Sequence, residues 1–401
     1  MSLQISNRNN MMQESPIRKL APYADSAKER GIKVYHLNIG QPDIKTPEGM
    51  RAAYRETPEI VAYGPSSGLA SYRKKLAGYY QGRGIAVSND DVFITTGGSE
   101  AIIFSFLAAL SPGDEVIVPE PFYTNYNGFA VMAGVTIVPI TTTIENGFHL
   151  PAIEDFEKVR TEKTRAVLFS NPGNPTGAVF TRKALEELAE FARRYNLYII
   201  SDEAYREFTY GERQAVSILE LSGLEENAIL IDSVSKRYSA CGARVGTLIT
   251  RNTKLMEVVL KFGQARLCPP TIDQMAAEAA VDTPDDYFKE VNAEYKKRRD
   301  FAFQALSEIP GVTVKKPEGA FYIIAQLPVR DADHFAKWML SNFSLNGATT
   351  MVAPAGGFYA TKGLGKNQIR IAYVLNTGDL KNAIEILKEG LKKYVDSGLG
   401  S

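Results

Sequence analysis

Cysteine is nearly missing from this chain. Cys241 and Cys268 are the two among 401 residues, and histidine occurs three times, at 36, 149 and 334. Two cysteines give no disulfide framework, and the histidines form no ligand-spaced cluster with them, so a reducing compartment and no metal are expected. Excess charge of either sign is missing as well, because 46 basic residues balance 46 acidic ones. No bulk field argues for nucleic acid or for an anionic membrane surface, and any anion site has to be local. Long apolar runs are absent too: the most apolar helix candidate, residues 101–110, is far shorter than a membrane span. Residues 1–14 are polar where a signal peptide would have an apolar core. No membrane partner and a cytoplasmic location are the expectations. Internal repeats and low-complexity linkers are also absent.

What the chain does have is apolar content, 44% hydrophobic and 10% aromatic residues, enough to fill two globular units. Four short apolar runs, at 92–95, 166–169, 197–200 and 228–231, read as buried strands. Each is followed by a polar cluster. The first releases Thr96-Gly97-Gly98-Ser99-Glu100 into a helix reaching Leu110; glycines there let backbone donors and the helix dipole face an anion. It is not a Walker loop, since no Gly-Lys-Ser/Thr follows, and Asn367 breaks that pattern at 363–367. The second run ends in Ser170-Asn171-Pro172-Gly173-Asn174-Pro175-Thr176-Gly177, the third in Ser201-Asp202-Glu203-Ala204-Tyr205. The fourth leads to Ser233, Ser235, Lys236 and Arg244. Candidate ligands released at one end of successive strands are what a mainly parallel, helix-covered sheet with one crevice produces. Each motif alone has a bland reading: solvated cations for Lys236 and Arg244, a cap for Ser99 or Asp202, core aromatics for Tyr123 and Tyr205, an edge-strand arginine for Arg370.

Together, from about residue 15 to 395, these motifs resemble the class I aminotransferases, fold type I pyridoxal phosphate enzymes, and within them the aspartate aminotransferase branch. The resemblance implies an α/β fold with a mainly parallel seven-stranded-type sheet covered by helices, and a smaller α+β domain. It divides the chain into an amino-terminal arm and part of the small domain (1–45), a large cofactor domain (46–285) and a small carboxyl-terminal domain (286–401). The arm itself covers residues 1 to about 13 and is expected to be mobile, with a helix over 15–30 after it. Lys236 is the implied Schiff-base lysine and the general base, then acid, of the reaction. Ser233, Ser235, Arg244 and the Gly98-Ser99 turn would hold the cofactor phosphate, with Tyr63 reaching it from a neighbouring subunit. Tyr123, preferred over Phe122, would stack on the ring, Asn174 and Tyr205 would bond its phenolic oxygen, and Asp202 would keep its nitrogen protonated.

For the substrate, the resemblance implies that Arg370 grips the α-carboxylate, with Asn174 and the backbone of Gly40 beside it, and makes Arg266, offered within the chain or from the partner subunit, the candidate to hold a distal carboxylate. The implied activity moves an amino group between an α-amino acid, aspartate or another acidic or broad-range donor, and a 2-oxo acid such as 2-oxoglutarate. Ser99 departs from relatives that place a lysine at that position. Alternatives are a preference for aromatic or neutral amino acids, a pyridoxal phosphate lyase cleaving carbon to sulfur, and the sensor module of a transcription regulator. A homodimer with shared active sites follows from Tyr63, which makes sense only across a subunit boundary.

Overall fold

The computed structural model describes residues 3–211 and 214–400. Its strands are β1 (Lys33–His36), β2 (Val92–Thr95), β3 (Glu115–Glu120), β4 (Thr136–Thr141), β5 (Thr164–Ser170), β6 (Tyr198–Asp202) and β7 (Ala228–Ser233). There follow β8 (Gly246–Ile249), β9 (Thr313–Val314), β10 (Tyr322–Gln326), β11 (Ala348–Met351), β12 (Ala353–Pro354) and β13 (Gln368–Ala372). Seven of them form one sheet in the order β2-β8-β7-β6-β5-β3-β4. All pairings in it are parallel except those of β8, which runs antiparallel to both β2 and β7. The apolar runs at 92–95, 166–169 and 228–231 are buried throughout because both faces of the sheet are covered by helices. Since β2, β5, β6 and β7 share one direction, Thr95, Ser170, Asp202 and Ser233 all finish at the same edge. Arg244 precedes the antiparallel β8 and therefore arrives at that edge as well.

A second sheet, β12-β13-β10-β9, and the parallel pair β1-β11 lie in the carboxyl-terminal part of the chain together with residues 33–36. Their core gathers Leu20, Ala24, Tyr35 and Leu37 with residues from Val291 to Tyr394, and takes in Tyr205, Phe208 and Tyr210 from the segment after β6. The helix Asp285–Ser307 runs from one part to the other. In β13 the alternation of a strand separates Ile369 and Ile371, which enter this core, from Arg370, which points the other way. Ile324, paired with Arg370 across the strands, packs with the core of the seven-stranded sheet. One face of the small sheet thus looks onto the edge where the large sheet releases its polar residues.

Residues 1 and 2 of the arm expected to be mobile lie outside the described residues. Residues 3–11 are exposed, Leu3 and Ile5 strongly so, and the short helix Arg8–Met11 leads to Met12, whose side chain lies against Gly128. The helix expected over 15–30 begins later, at Ala21, with proline in its first turn where the missing N–H costs nothing.

Candidate active site

Lys236 sits on a one-turn helix, Val234–Arg237, entered directly from β7. Its cap is Ser233, whose Oγ accepts from Ser235 N at 3.2 Å and lies 2.9 Å from Ser235 Oγ. Beneath it the buried Asp232 accepts from Tyr80 OH and from Arg237 Nη2, and takes the Ser233 N–H at 2.6 Å. This buried network fixes the turn and leaves the lysine side chain to face the crevice. Lys236 Nζ donates to Gly40 O at 2.8 Å and lies 3.5 Å from Cys241 Sγ.

Asp202, at the end of the neighbouring strand, accepts from Tyr126 OH at 2.7 Å and from Ala204 N at 3.2 Å. Burial pushes its carboxyl up to about 6, against the pull of those two donors and of Lys236. Tyr123 is half-buried, accepts from Asn125 Nδ2 at 2.8 Å, and stands edge-on to Tyr126 with ring centroids 5.5 Å apart. Burial pushes its phenol up to about 12, with Tyr322 and Asp202 adding to the effect. Phe122, the competitor for the stacking role, is buried and stacks on Tyr126 with ring centroids 6.1 Å apart. Tyr205 OH is 2.8 Å from Tyr322 OH, a partner that sequence reasoning did not supply.

Arg370 is 1% exposed, in a strand flanked on both sides, so neither a surface nor an edge position describes it. Its Nη2 donates to Asn38 O at 2.6 Å and its Nη1 to Asn174 Oδ1 at 3.0 Å. The guanidinium lies 4.4 Å from the Tyr322 ring centroid and 4.9 Å from that of Phe358. Its Nε is buried without a partner among the described residues, and the groups that act on its charge are Tyr322, Tyr205 and Tyr123. A buried cation held only by neutral acceptors suits an anionic ligand.

The anion cup forms where the helix Gly97–Ala109 begins. Gly97 has φ +77°, and a Cβ there would lie 2.3 Å from Arg244 Nη2, so glycine is what lets that guanidinium sit over the turn. Gly98 lies beside Ser233, where a Cβ would be 3.8 Å from Ser233 Cβ. Arg244 itself has φ 52°, an uncommon conformation for a side-chain-bearing residue. An amine, a buried carboxylate, a tyrosine face, a carboxylate-seeking arginine and an anion cup on one crevice are a donor set that fits pyridoxal phosphate.

Two expected residues stand apart from this set. Tyr63, expected to reach a neighbouring subunit, is 83% exposed. Arg266, expected to hold a distal carboxylate, is paired within its own chain with Glu100 Oε2 at 2.7 Å and with Ser66 O at 3.0 Å. Tyr126, Tyr322, Asp232 and Cys241 were missed. Tyr126 gave no local signal of its own: Tyr123 precedes the helix Asn125–Ala133, and the turn closed by Tyr126 N on Tyr123 O at 2.9 Å is what brings the two together.

Residues 32–387 match the family model described as aminotransferase class I and II. Over 396 residues, 97% of this chain and 98% of the relative, the sequence is 31% identical to an aspartate aminotransferase of Pyrococcus abyssi. With the same coverage it is 32% identical to aromatic-amino-acid aminotransferase 2 of Thermococcus litoralis. The fold is similar to that of a solved alanine aminotransferase from Pyrococcus furiosus, with a TM-score of 0.89, 32% identity, and coverage of 97% of this chain and 100% of that one.

Proposed function

The chain belongs to the class I and II aminotransferases, and on that premise we propose that it takes a broad range of α-amino acids, acidic ones among them, and passes the amino group to a 2-oxo acid such as 2-oxoglutarate. Breadth is supported by relatives named for aspartate, aromatic amino acids and alanine at nearly equal identity, and by the pairing of Arg266 with Glu100. The enzyme is pyridoxal phosphate-dependent; when bound, that cofactor supplies an electron sink that makes the substrate Cα proton acidic.

In this reading Lys236 would be the amine that holds the cofactor, Asp202 would face its ring nitrogen as the proton-retaining carboxylate, and Tyr123 would lie against its ring. Asn174 and Tyr205 serve its phenolic oxygen, while Ser233, Ser235, Arg244, Gly98 and Ser99 hold the phosphate. Arg370 binds the substrate α-carboxylate through its planar fork, and Asn38 O with Asn174 Oδ1 keeps that fork in place. Orienting the carboxylate would turn the Cα hydrogen toward Lys236 Nζ, which would serve as general base and then as general acid.

The observation that carries this is one segment, Asn38–Gly40, that accepts from Arg370 at its first residue and from Lys236 at its last. Carboxylate clamp and proton carrier are thereby held to a common backbone. A panel of amino donors against 2-oxoglutarate, run with wild type and Lys236→Ala, tests it: several donors should react with wild type and none with the variant. Turnover surviving in Lys236→Ala would refute the assignment.

The domain division at 45 and 285 belongs to the same proposal and is supported by a core drawn mainly from residues 291–394. So does a homodimer with shared sites, supported by the exposed Ile60, Val61 and Tyr63. A cytoplasmic location is supported by the two free thiols, and no helix among the described residues is long and apolar enough to cross a membrane.

A further inference from the structure

We infer that Arg266 is a positioning residue for the phosphate end of the site, acting through Glu100. The inference rests on the reading above, which puts the cofactor phosphate at the amino end of the helix Gly97–Ala109. Thr96 is the cap residue of that helix, and its side chain makes no capping hydrogen bond. Its backbone N–H goes to Glu100 Oε2 at 2.7 Å, so Glu100 orders the glycine turn. A carboxylate in the first turn also repels a phosphate arriving at the same helix end.

Arg266 removes that conflict. Its Nη1 lies 2.7 Å from the oxygen that takes the Thr96 N–H, and the two side chains are 16% and 17% exposed. Phe93 and Phe104, with ring centroids 6.0 and 5.9 Å from the guanidinium carbon, back it on the apolar side. Its Nη2 holds Ser66 O at 3.0 Å, while Thr271 Oγ1 holds Ala62 O at 3.1 Å, so the loop carrying Tyr63 is fastened beside the same turn. Two arginines therefore flank one turn with different tasks. Arg244 lies over Gly97 for the anion, and Arg266 neutralises the carboxylate that shapes the turn.

The test uses full-length protein saturated with pyridoxal phosphate and then dialysed against graded free cofactor, with bound cofactor read by its absorbance. Arg266→Gln should weaken retention by at least about tenfold, because Glu100 is left charged beside the phosphate. Arg266→Lys, which keeps the charge, should retain most of it. The double variant Glu100→Gln with Arg266→Gln keeps an acceptor for Thr96 N and should return to within about threefold of wild type. The ratio of kcat/KM for aspartate over alanine should be the same in wild type and Arg266→Gln. A double variant no better than Arg266→Gln, or a variant that loses aspartate discrimination while retaining cofactor, overturns the inference. Wild-type protein that held no cofactor would instead overturn the functional reading beneath it.

Discussion

Gly40→Ala should cripple the enzyme from a position that carries no chemical group. A methyl at residue 40 would lie 1.9 Å from Tyr322 Oη, 2.5 Å from its Cζ and 2.6 Å from its Cε1. Ordinary contact begins near 3.5 Å, so the backbone or the ring must give by about 1.5 Å. The ring has nowhere to go: it is 2% exposed, its hydroxyl is 2.8 Å from Tyr205 OH, and the Arg370 guanidinium lies 4.4 Å from its centroid. The Asn38–Gly40 segment must therefore move, taking with it the acceptors of both Arg370 and Lys236. Overpacking of this kind costs about 1–3 kcal/mol of stability. Displacing positioned groups by about 1 Å costs ~100-fold in rate. Denaturant unfolding of the holoenzyme and kcat/KM with 2-oxoglutarate as acceptor measure the two effects. Adding Tyr322→Phe should not rescue, because the ring-carbon contacts remain. A Gly40→Ala enzyme within twofold of wild type on both counts would refute the reasoning.

Arg370→Lys keeps a charge but loses the planar fork, and should lower kcat/KM for every donor by about 100-fold, corresponding to ~3 kcal/mol, with cofactor retention unchanged; equal kcat/KM would remove Arg370 from the carboxylate role. In cofactor-free protein, burial raises the Asp202 carboxyl from 3.8 to about 6, so between those values the native state holds a proton that the unfolded state has released, and stability falls as pH rises. That interval corresponds to at most about 3 kcal/mol. Asp202→Asn should accordingly stabilise the cofactor-free protein at pH 8, with an advantage that shrinks on acidification; an advantage that grows on acidification would contradict this. Mixing Tyr63→Phe and Lys236→Ala proteins, each impaired alone, should recover some activity in hybrid dimers, and verified subunit exchange without recovery would count against shared sites.

The elements most legible in the sequence were those whose signals are local. The helix Arg182–Tyr195 begins at a Thr181 side-chain cap and ends at a left-handed Asn196, and its apolar spacing is visible in between. The strands after which Asn174, Asp202 and Lys236 emerge were legible because buried parallel strands are continuous apolar runs. β4 was not, since Pro139 interrupts it and it survives only as an edge strand. The pairing of β1 with β11 joins residues more than three hundred positions apart, and no local pattern encodes such a partner. In the site the same division holds. Motif residues were assigned through the family resemblance, whereas Tyr322 against Gly40 and Tyr205, Tyr126 on Asp202, and Glu100 on Arg266 are contacts created by the folded chain.

The central claim is that Lys236, held on the crevice side of its turn by the Asp232 network, is the amine that carries the cofactor. Reduction of the holoenzyme with borohydride, followed by peptide mass mapping, tests it most directly. The account predicts one added cofactor mass per chain, on the peptide containing Lys236 and on that residue. A label on any other lysine, or no covalent label in protein that binds the cofactor, would contradict it.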